Sequence, residues 1–160
     1  MQAQQAIREV IELGNTVAMS YLSDLNDEEL LRRPHPRCNH LNWQWGHLIV
    51  SENELVNQAI PGVMPPLPEG FADRYTKETV GLDDPSSFAS KEQLLAVMAE
   101  QRKGTLAALE QTTLEDLDRP TGIPYAPNVA SIFSLQGTHW LMHAGQWVVV
   151  RRQLGRDPMF

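Results

Sequence analysis

Apolar residues recur at three- and four-residue steps in four long stretches, the period that lines side chains along one face of a helix. The first stretch covers residues 6–25, with Ile7, Val10, Ile11, Gly14, Val17, Ala18, Tyr21, Leu22 and Leu25 in phase. The second starts from Asn39 as its expected cap and runs to about Ile60, carrying Leu41, Trp45, Leu48, Ile49, Leu55, Val56 and Ala59. Ser90 and Gln93 form a capping-box pattern ahead of the third, in which Leu94, Leu95, Val97, Met98, Leu106 and Leu109 lead to about Glu110. The fourth is Asn128–Gln153, with Gly155 as its expected stop. Short turns are expected at Asp27–Arg32, where Asn26 and Glu29 make a second capping box, and at Thr113–Leu117. No strand period rises above the helical ones.

The breaks between these stretches are as informative as the stretches. Pro34 and Pro36 separate the first turn from the second helix, and Pro61-Gly62 ends that helix. From Pro61 to Ser87 the chain carries Pro65, Pro66, Pro68, Gly70, Gly81 and Pro85 with little periodicity. A connection of that length either crosses the molecule or shapes a site. The expected fold is therefore all-α, a four-helix bundle with a long crossover connection between helices 2 and 3, in one domain over residues 1–160.

Two of the helices are apolar on more than one side. In the fourth, Phe133, Trp140 and Trp147 share one side, Leu141 and Val148 another, and Met142 and Val149 a third. In the second, Trp43, His47 and Val50 lie opposite the main stripe. Such helices sit between neighbours or at a subunit interface, so the extra faces call for cover by the long connection or by a second copy in a homodimer.

Composition narrows the function. With 42% hydrophobic residues in 160, the chain can build a core without disulfides or a structural metal, so a metal here would serve function. A net charge of −7 is the wrong sign for binding a phosphate backbone, which argues against a nucleic-acid partner. Apolar runs such as Val148-Val149-Val150 are far short of the roughly 20 residues a membrane helix needs. The opening Met1-Gln2-Ala3-Gln4-Gln5 has no basic segment followed by an apolar one, so a cytoplasmic location is the default expectation. Cys38 stands alone, without a CxxC partner, and reads as an incidental thiol.

The histidines carry the chemistry. His139 and His143 are spaced i, i+4 in the fourth helix, which puts two imidazoles one turn apart on one face. Metal sites in bundles draw ligands from facing helices, so a third ligand is sought elsewhere. His47, mid-way along helix 2 and one turn after Trp43, is the best placed, whereas His35 and His40 lie in or beside the proline-broken segment. Three imidazoles suit Zn, Ni or Fe(II) and leave coordination positions for water or substrate. Gln136 and Gln146 flank the pair at −3 and +3 and are placed to orient its rings. The same spacings fit histidines and amides that simply hydrogen-bond within a core or an interface. Trp43 is expected to line the pocket. Glu54 falls near the His47 face as a candidate general base, or as an ordinary solvated carboxylate, while Glu52 falls near the apolar stripe. Two basic clusters, Arg32, Arg33 and Arg37, and Arg151, Arg152 and Arg156, could each bind an acidic substrate, although solvation and a helix C-terminus account for the second without function.

The segment His40-Leu41-Asn42-Trp43-Gln44-Trp45-Gly46-His47-Leu48, with Gly137-Thr138-His139-Trp140-Leu141-Met142-His143-Ala144-Gly145-Gln146 far downstream, resembles the DinB/YfiT-like superfamily of metal-binding four-helix bundles. The shared pattern is Trp-x-x-x-His on helix 2 and His-x-x-x-His continuing into Gly-Gln on the last helix. The resemblance implies one divalent metal on His47, His139 and His143, with water completing its shell. It also implies chemistry on a small-molecule substrate, since members include S-transferases that use low-molecular-weight thiols such as bacillithiol or mycothiol, and metal-dependent hydrolases. The expectation is a metal-dependent thiol S-transferase or hydrolase acting on a small electrophile. The alternative is a non-catalytic homodimeric interaction or stress protein whose histidines are structural.

Overall fold

Residues 2–159 are described by a computed structural model of the chain. Its helices are α1 (Ala3–Leu22), α2 (Asp27–Leu30), α3 (Leu41–Ala59), α4 (Lys91–Gln111), α5 (Leu114–Asp118) and α6 (Val129–Gln153). The four long ones are those the apolar periods predict, and they form the four-helix bundle. Polar start signals work as expected. Asn26 with Glu29 and Ser90 with Gln93 form reciprocal capping boxes, and Thr113 with Asp116 forms a third.

Cross-helix contacts give the directions. Gly14 abuts Gly137, and Arg151 near the end of α6 donates to the Tyr21 carbonyl near the end of α1, so these helices run parallel. Asn42 bonds the Ala89 carbonyl and Asn53 bonds Gln101, so α3 and α4 are also parallel. Gln44 meets Trp147 while Val56 shares an apolar cluster with Ile132, so α3 runs against α6. Two parallel neighbours in sequence, α3 and α4, need a connection that returns along the length of the bundle, and residues 60–90 supply it.

That crossover is ordered by single turns of 3-10 helix at Ala72–Tyr75, Lys77–Thr79 and Pro85–Ser87. Its anchor is Tyr75, whose ring lies so close over Gly46 that a Cβ there would stand 2.1 Å from Tyr75 Cε1. The Tyr75 hydroxyl accepts the Ala89 N–H at 3.1 Å and donates to Asn42 Oδ1 at 3.3 Å. Arg33 ties the far end, donating to the carbonyls of Cys38, Val80 and Leu82 and to Asp83. The second apolar face of α3 is thus covered by the chain's own crossover. On α6 the third side stays open, with Met142 61% and Val149 41% exposed.

The interior is two apolar clusters, one around Trp45, Trp140, Trp147 and Leu22, the other around Ile11, Val56, Ile132 and Phe133. A polar layer separates them. Glu52 falls between Val50 and Val56 on α3, and Arg102 and Thr105 fall between Met98 and Ala108 on α4. Arg102 pairs with Glu52 at 3.0 Å, donates to the Gln136 carbonyl at 2.8 Å and lies over the Trp140 ring, and Thr105 donates to Glu52 at 2.6 Å.

Two local features depart from the sequence reading. His40, and not Asn39, caps α3, because its Nδ1 accepts the Trp43 N–H at 3.0 Å. The proline-rich stretch before α6 also holds a short antiparallel hairpin, β1 (Pro120–Ile123) with β2 (Ala126–Asn128). Strands of four and three residues are too short for an alternation to show. No helix among the described residues is long and apolar enough to cross a membrane.

Candidate metal centre

His139 and His143 sit one turn apart on α6, and antiparallel α3 brings His47 against them. The ring centroids are 5.5 Å apart for His47 and His139, 5.9 Å for His47 and His143, and 5.0 Å for His139 and His143. One nitrogen from each ring lies within 4.8 Å of the others, and all three side chains are half-buried. Among the described residues this is the group of His, Cys, Asp and Glu side chains able to hold a metal ion.

Burial and mutual repulsion keep the imidazoles uncharged. Removal from water lowers the pKa of His47. Burial, with His47 alongside, lowers His139 to about 4, and burial with both neighbours lowers His143 to about 3. Neutral imidazoles are the form that donates to a metal. A tetrahedral ion with Zn–N bonds of about 2.1 Å holds its nitrogens roughly 3.4 Å apart, so small side-chain rotations fit these donors around one ion.

The flanking side chains divide sharply. Trp43 stacks on His47 at 5.0 Å with the planes 12° apart, and its Nε1 donates to Thr79 Oγ1 at 2.9 Å, linking the ligand helix to the crossover. Gln136 is not at the site. Its side chain turns back to the Ile132 carbonyl at 2.8 Å, inside its own helix. Gln146 touches none of the three rings through a hydrogen bond and meets Gln44 Nε2 at 3.3 Å instead. Gln44 is the residue sequence reasoning missed. Its Oε1 lies 2.8 Å from His143 Nδ1 and accepts the Trp147 indole N–H at 2.9 Å. The signal available was a polar amide between two tryptophans, one turn before His47.

Beside His47 opens a cleft of about 490 Å³, walled by Trp43, Val50, Ser51 and Glu54 from α3 and by Ala72, Asp73, Tyr75, Thr76 and Lys77 from the crossover. Glu54 therefore does share a cavity with His47, whereas Glu52 is locked in its pair with Arg102. The other candidates lie elsewhere. Cys38 is a free, half-buried thiol before α3, and His35 makes a local bond to the Arg37 N–H. Arg151 and Arg156 are paired with Asp24, and Arg33 with Asp83.

The sequence model of the DinB superfamily matches residues 11–147, a span that includes all three histidines. The chain belongs to the DinB superfamily. Solved structures share the fold of this DinB chain. A conserved protein from Enterococcus faecalis superposes with a TM-score of 0.71 at 18% identity, covering 98% of this chain and 99% of its own. YfiT from Bacillus subtilis is described as a probable metal-dependent hydrolase with an unusual four-helix bundle topology. It superposes with a TM-score of 0.64 at 15% identity, covering 96% of this chain and 89% of its own. No curated protein matches the sequence.

Proposed function

We propose that this DinB-superfamily chain is a metal-dependent enzyme that holds one divalent ion, Zn, Ni or Fe(II), on His47, His139 and His143. It acts on a small electrophilic substrate bound in the cleft beside His47, by hydrolysis or by transfer of a low-molecular-weight thiol. The observation that carries this reading is the juxtaposition of three neutral imidazole donors with a cleft that one of them walls. A purely structural ion would be wrapped on all sides by protein ligands, and three ligands beside a cleft are instead the catalytic arrangement. The description of YfiT as a metal-dependent hydrolase supports the hydrolytic branch.

The ion, when bound, supplies Lewis acidity, lowering the pKa of a water or thiol so that a nucleophile exists at neutral pH. The chain supplies the rest. Trp43 covers one face of His47 and fixes that ring's plane. Tyr75 and Ala72 give the cleft an apolar wall that excludes water from a small substrate, and Lys77 adds a cation to its lining for a negative group. Glu54, which lines the cleft with His47 from the same helix, serves in this reading as the base that takes a proton from the nucleophile.

The test is metal content, measured by elemental analysis on protein purified without chelator or metal-affinity resin, for wild type and a His139→Ala/His143→Ala variant. Near one ion per wild-type chain, lost in a folded variant, is expected. Wild-type protein that takes up none of Zn, Ni or Fe(II) on loading would overturn the proposal and favour structural histidines.

A further inference from the structure

Resting on that reading, we infer that Gln44 is the positioning residue of the metal centre: it fixes the tautomer of His143 and commits that ring to bind metal through Nε2. Two groups around the Gln44 amide have a polarity that is not open to choice. An indole N–H can only donate, and Trp147 Nε1 points at one end of the Gln44 amide at 2.9 Å. That end must be the oxygen. The other end confirms the assignment, since it lies 2.7 Å from the Asn39 carbonyl, which can only accept, and 3.3 Å from Gln146 Oε1.

With the amide orientation set, His143 has no freedom left. Its Nδ1 faces the same Gln44 oxygen at 2.8 Å, so Nδ1 carries the proton and donates. A neutral imidazole has one N–H, so Nε2 bears the lone pair and is the atom presented to an ion. A donated Nδ1–H also increases the basicity of the other nitrogen and holds the ring plane. Gln44 is buried, so water cannot replace this contact. The chain Trp147–Gln44–His143 thus carries information from a donor on α6, through an amide on α3, back to a ligand on α6. The two ligand helices can present their histidines to one ion only when docked in this register.

The experiment combines a tautomer measurement on metal-free protein with metal affinity. Long-range proton–nitrogen NMR of His143 in wild type should show protonated Nδ1 and bare Nε2. Competition for Zn against a chromophoric chelator should then show Gln44→Leu weakened about 10–100-fold, and Gln44→Glu, which as the buried neutral acid keeps one oxygen as acceptor for both donors and gives its O–H to the Asn39 carbonyl, within about threefold of wild type. Far-UV circular dichroism and urea unfolding check that each variant folds. If Gln44→Leu does not fold, the wild-type NMR and the Gln44→Glu affinity still decide. A protonated Nε2 in wild type, or a folded Gln44→Leu that binds Zn as tightly as wild type, would overturn the inference. Wild-type protein with the expected tautomer but no uptake of Zn, Ni or Fe(II) would instead overturn the metal reading, and with it any role for Gln44 at a metal.

Discussion

Gly14 and Gly137 meet backbone to backbone: a Cβ on Gly14 would lie 2.4 Å from the Gly137 carbonyl oxygen, and one on Gly137 would lie 2.2 Å from the Val10 carbonyl oxygen. Neither contact can be relieved by a flexible side chain, so α1 and α6 pack in direct backbone contact here. Gly137 is two residues before His139, so this contact sets the depth at which the histidine-bearing turn of α6 sits.

Adding a methyl group at either position forces the helices apart. Gly137→Ala and Gly14→Ala are each expected to cost on the order of 1–3 kcal/mol in urea unfolding, as overpacked cores do. Gly145 on the same helix provides the contrast, because a Cβ there meets nothing within 4 Å. Gly145→Ala should stabilise by roughly 0.5–1 kcal/mol, the ordinary helical preference of alanine over glycine. Equal effects at Gly137 and Gly145 would show that propensity, not contact, governs both.

The pair of Glu52 and Arg102 is expected to be worth little in total and much to each partner. Burial pushes the Glu52 carboxyl up and the Arg102 guanidinium down, each opposed by the other's charge. Removing one partner by Glu52→Leu or Arg102→Met leaves a buried charge uncompensated and should cost about 3–5 kcal/mol. The double variant should come back close to wild type. A double-mutant cycle by chemical denaturation reads this directly, and additive losses would count against it.

The crossover's hold on α3 rests on Gly46 beneath Tyr75. Gly46→Ala brings a Cβ to 2.1 Å from the Tyr75 ring and should lift the Ala72–Tyr75 turn off the helix. Expected consequences are a stability loss of about 1–3 kcal/mol and faster tryptic cleavage after Arg74 and Lys77. In a Tyr75→Ala background the same substitution should cost much less. A Gly46→Ala penalty that is unchanged by Tyr75→Ala would place the strain elsewhere.

How much of this could be read from the chain depends on whether the feature is local. The long helices and two of the three capping boxes follow from spacings of three and four residues, so Ser90 and Gln93 could be paired before any fold was known. The His139–His143 pair was legible for the same reason, whereas His47 was only the best-placed candidate on another helix until the family resemblance and the fold joined it to them. Gln44 was not. Its partners are Trp147 and His143, about a hundred positions away, and they meet it only in the register in which α3 docks on α6. Gln136 shows the converse: its spacing from His139 is suitable, yet its amide bonds the Ile132 carbonyl within α6. The cap of α3 is His40 and not Asn39 because the helix starts one residue later than its spacing suggests, where the imidazole Nδ1 accepts the Trp43 N–H.

His40 makes the pH dependence of stability specific. It is fully buried, set edge-on to Phe88 at 4.6 Å, and its pKa is lowered from 6.5 to about 4 by burial and by the Arg33 charge, against a smaller opposing pull from Asp83. Between these two values the unfolded chain binds a proton that the folded chain refuses. Stability contributed by neutral His40 is therefore complete above the unfolded value near 6.5 and is lost as pH falls toward about 4. The loss is on the order of 3 kcal/mol. His40→Asn keeps a capping acceptor for the Trp43 N–H and removes the titrating group. In metal-free protein, urea unfolding at pH 7 and pH 4 should show wild type losing about 3 kcal/mol more than His40→Asn. His139 and His143 lose stability over the same range in both proteins, so the difference between the two isolates His40. Parallel pH profiles would mean that folded His40 takes up its proton as readily as the unfolded chain does, which its burial against Phe88 and beside Arg33 opposes.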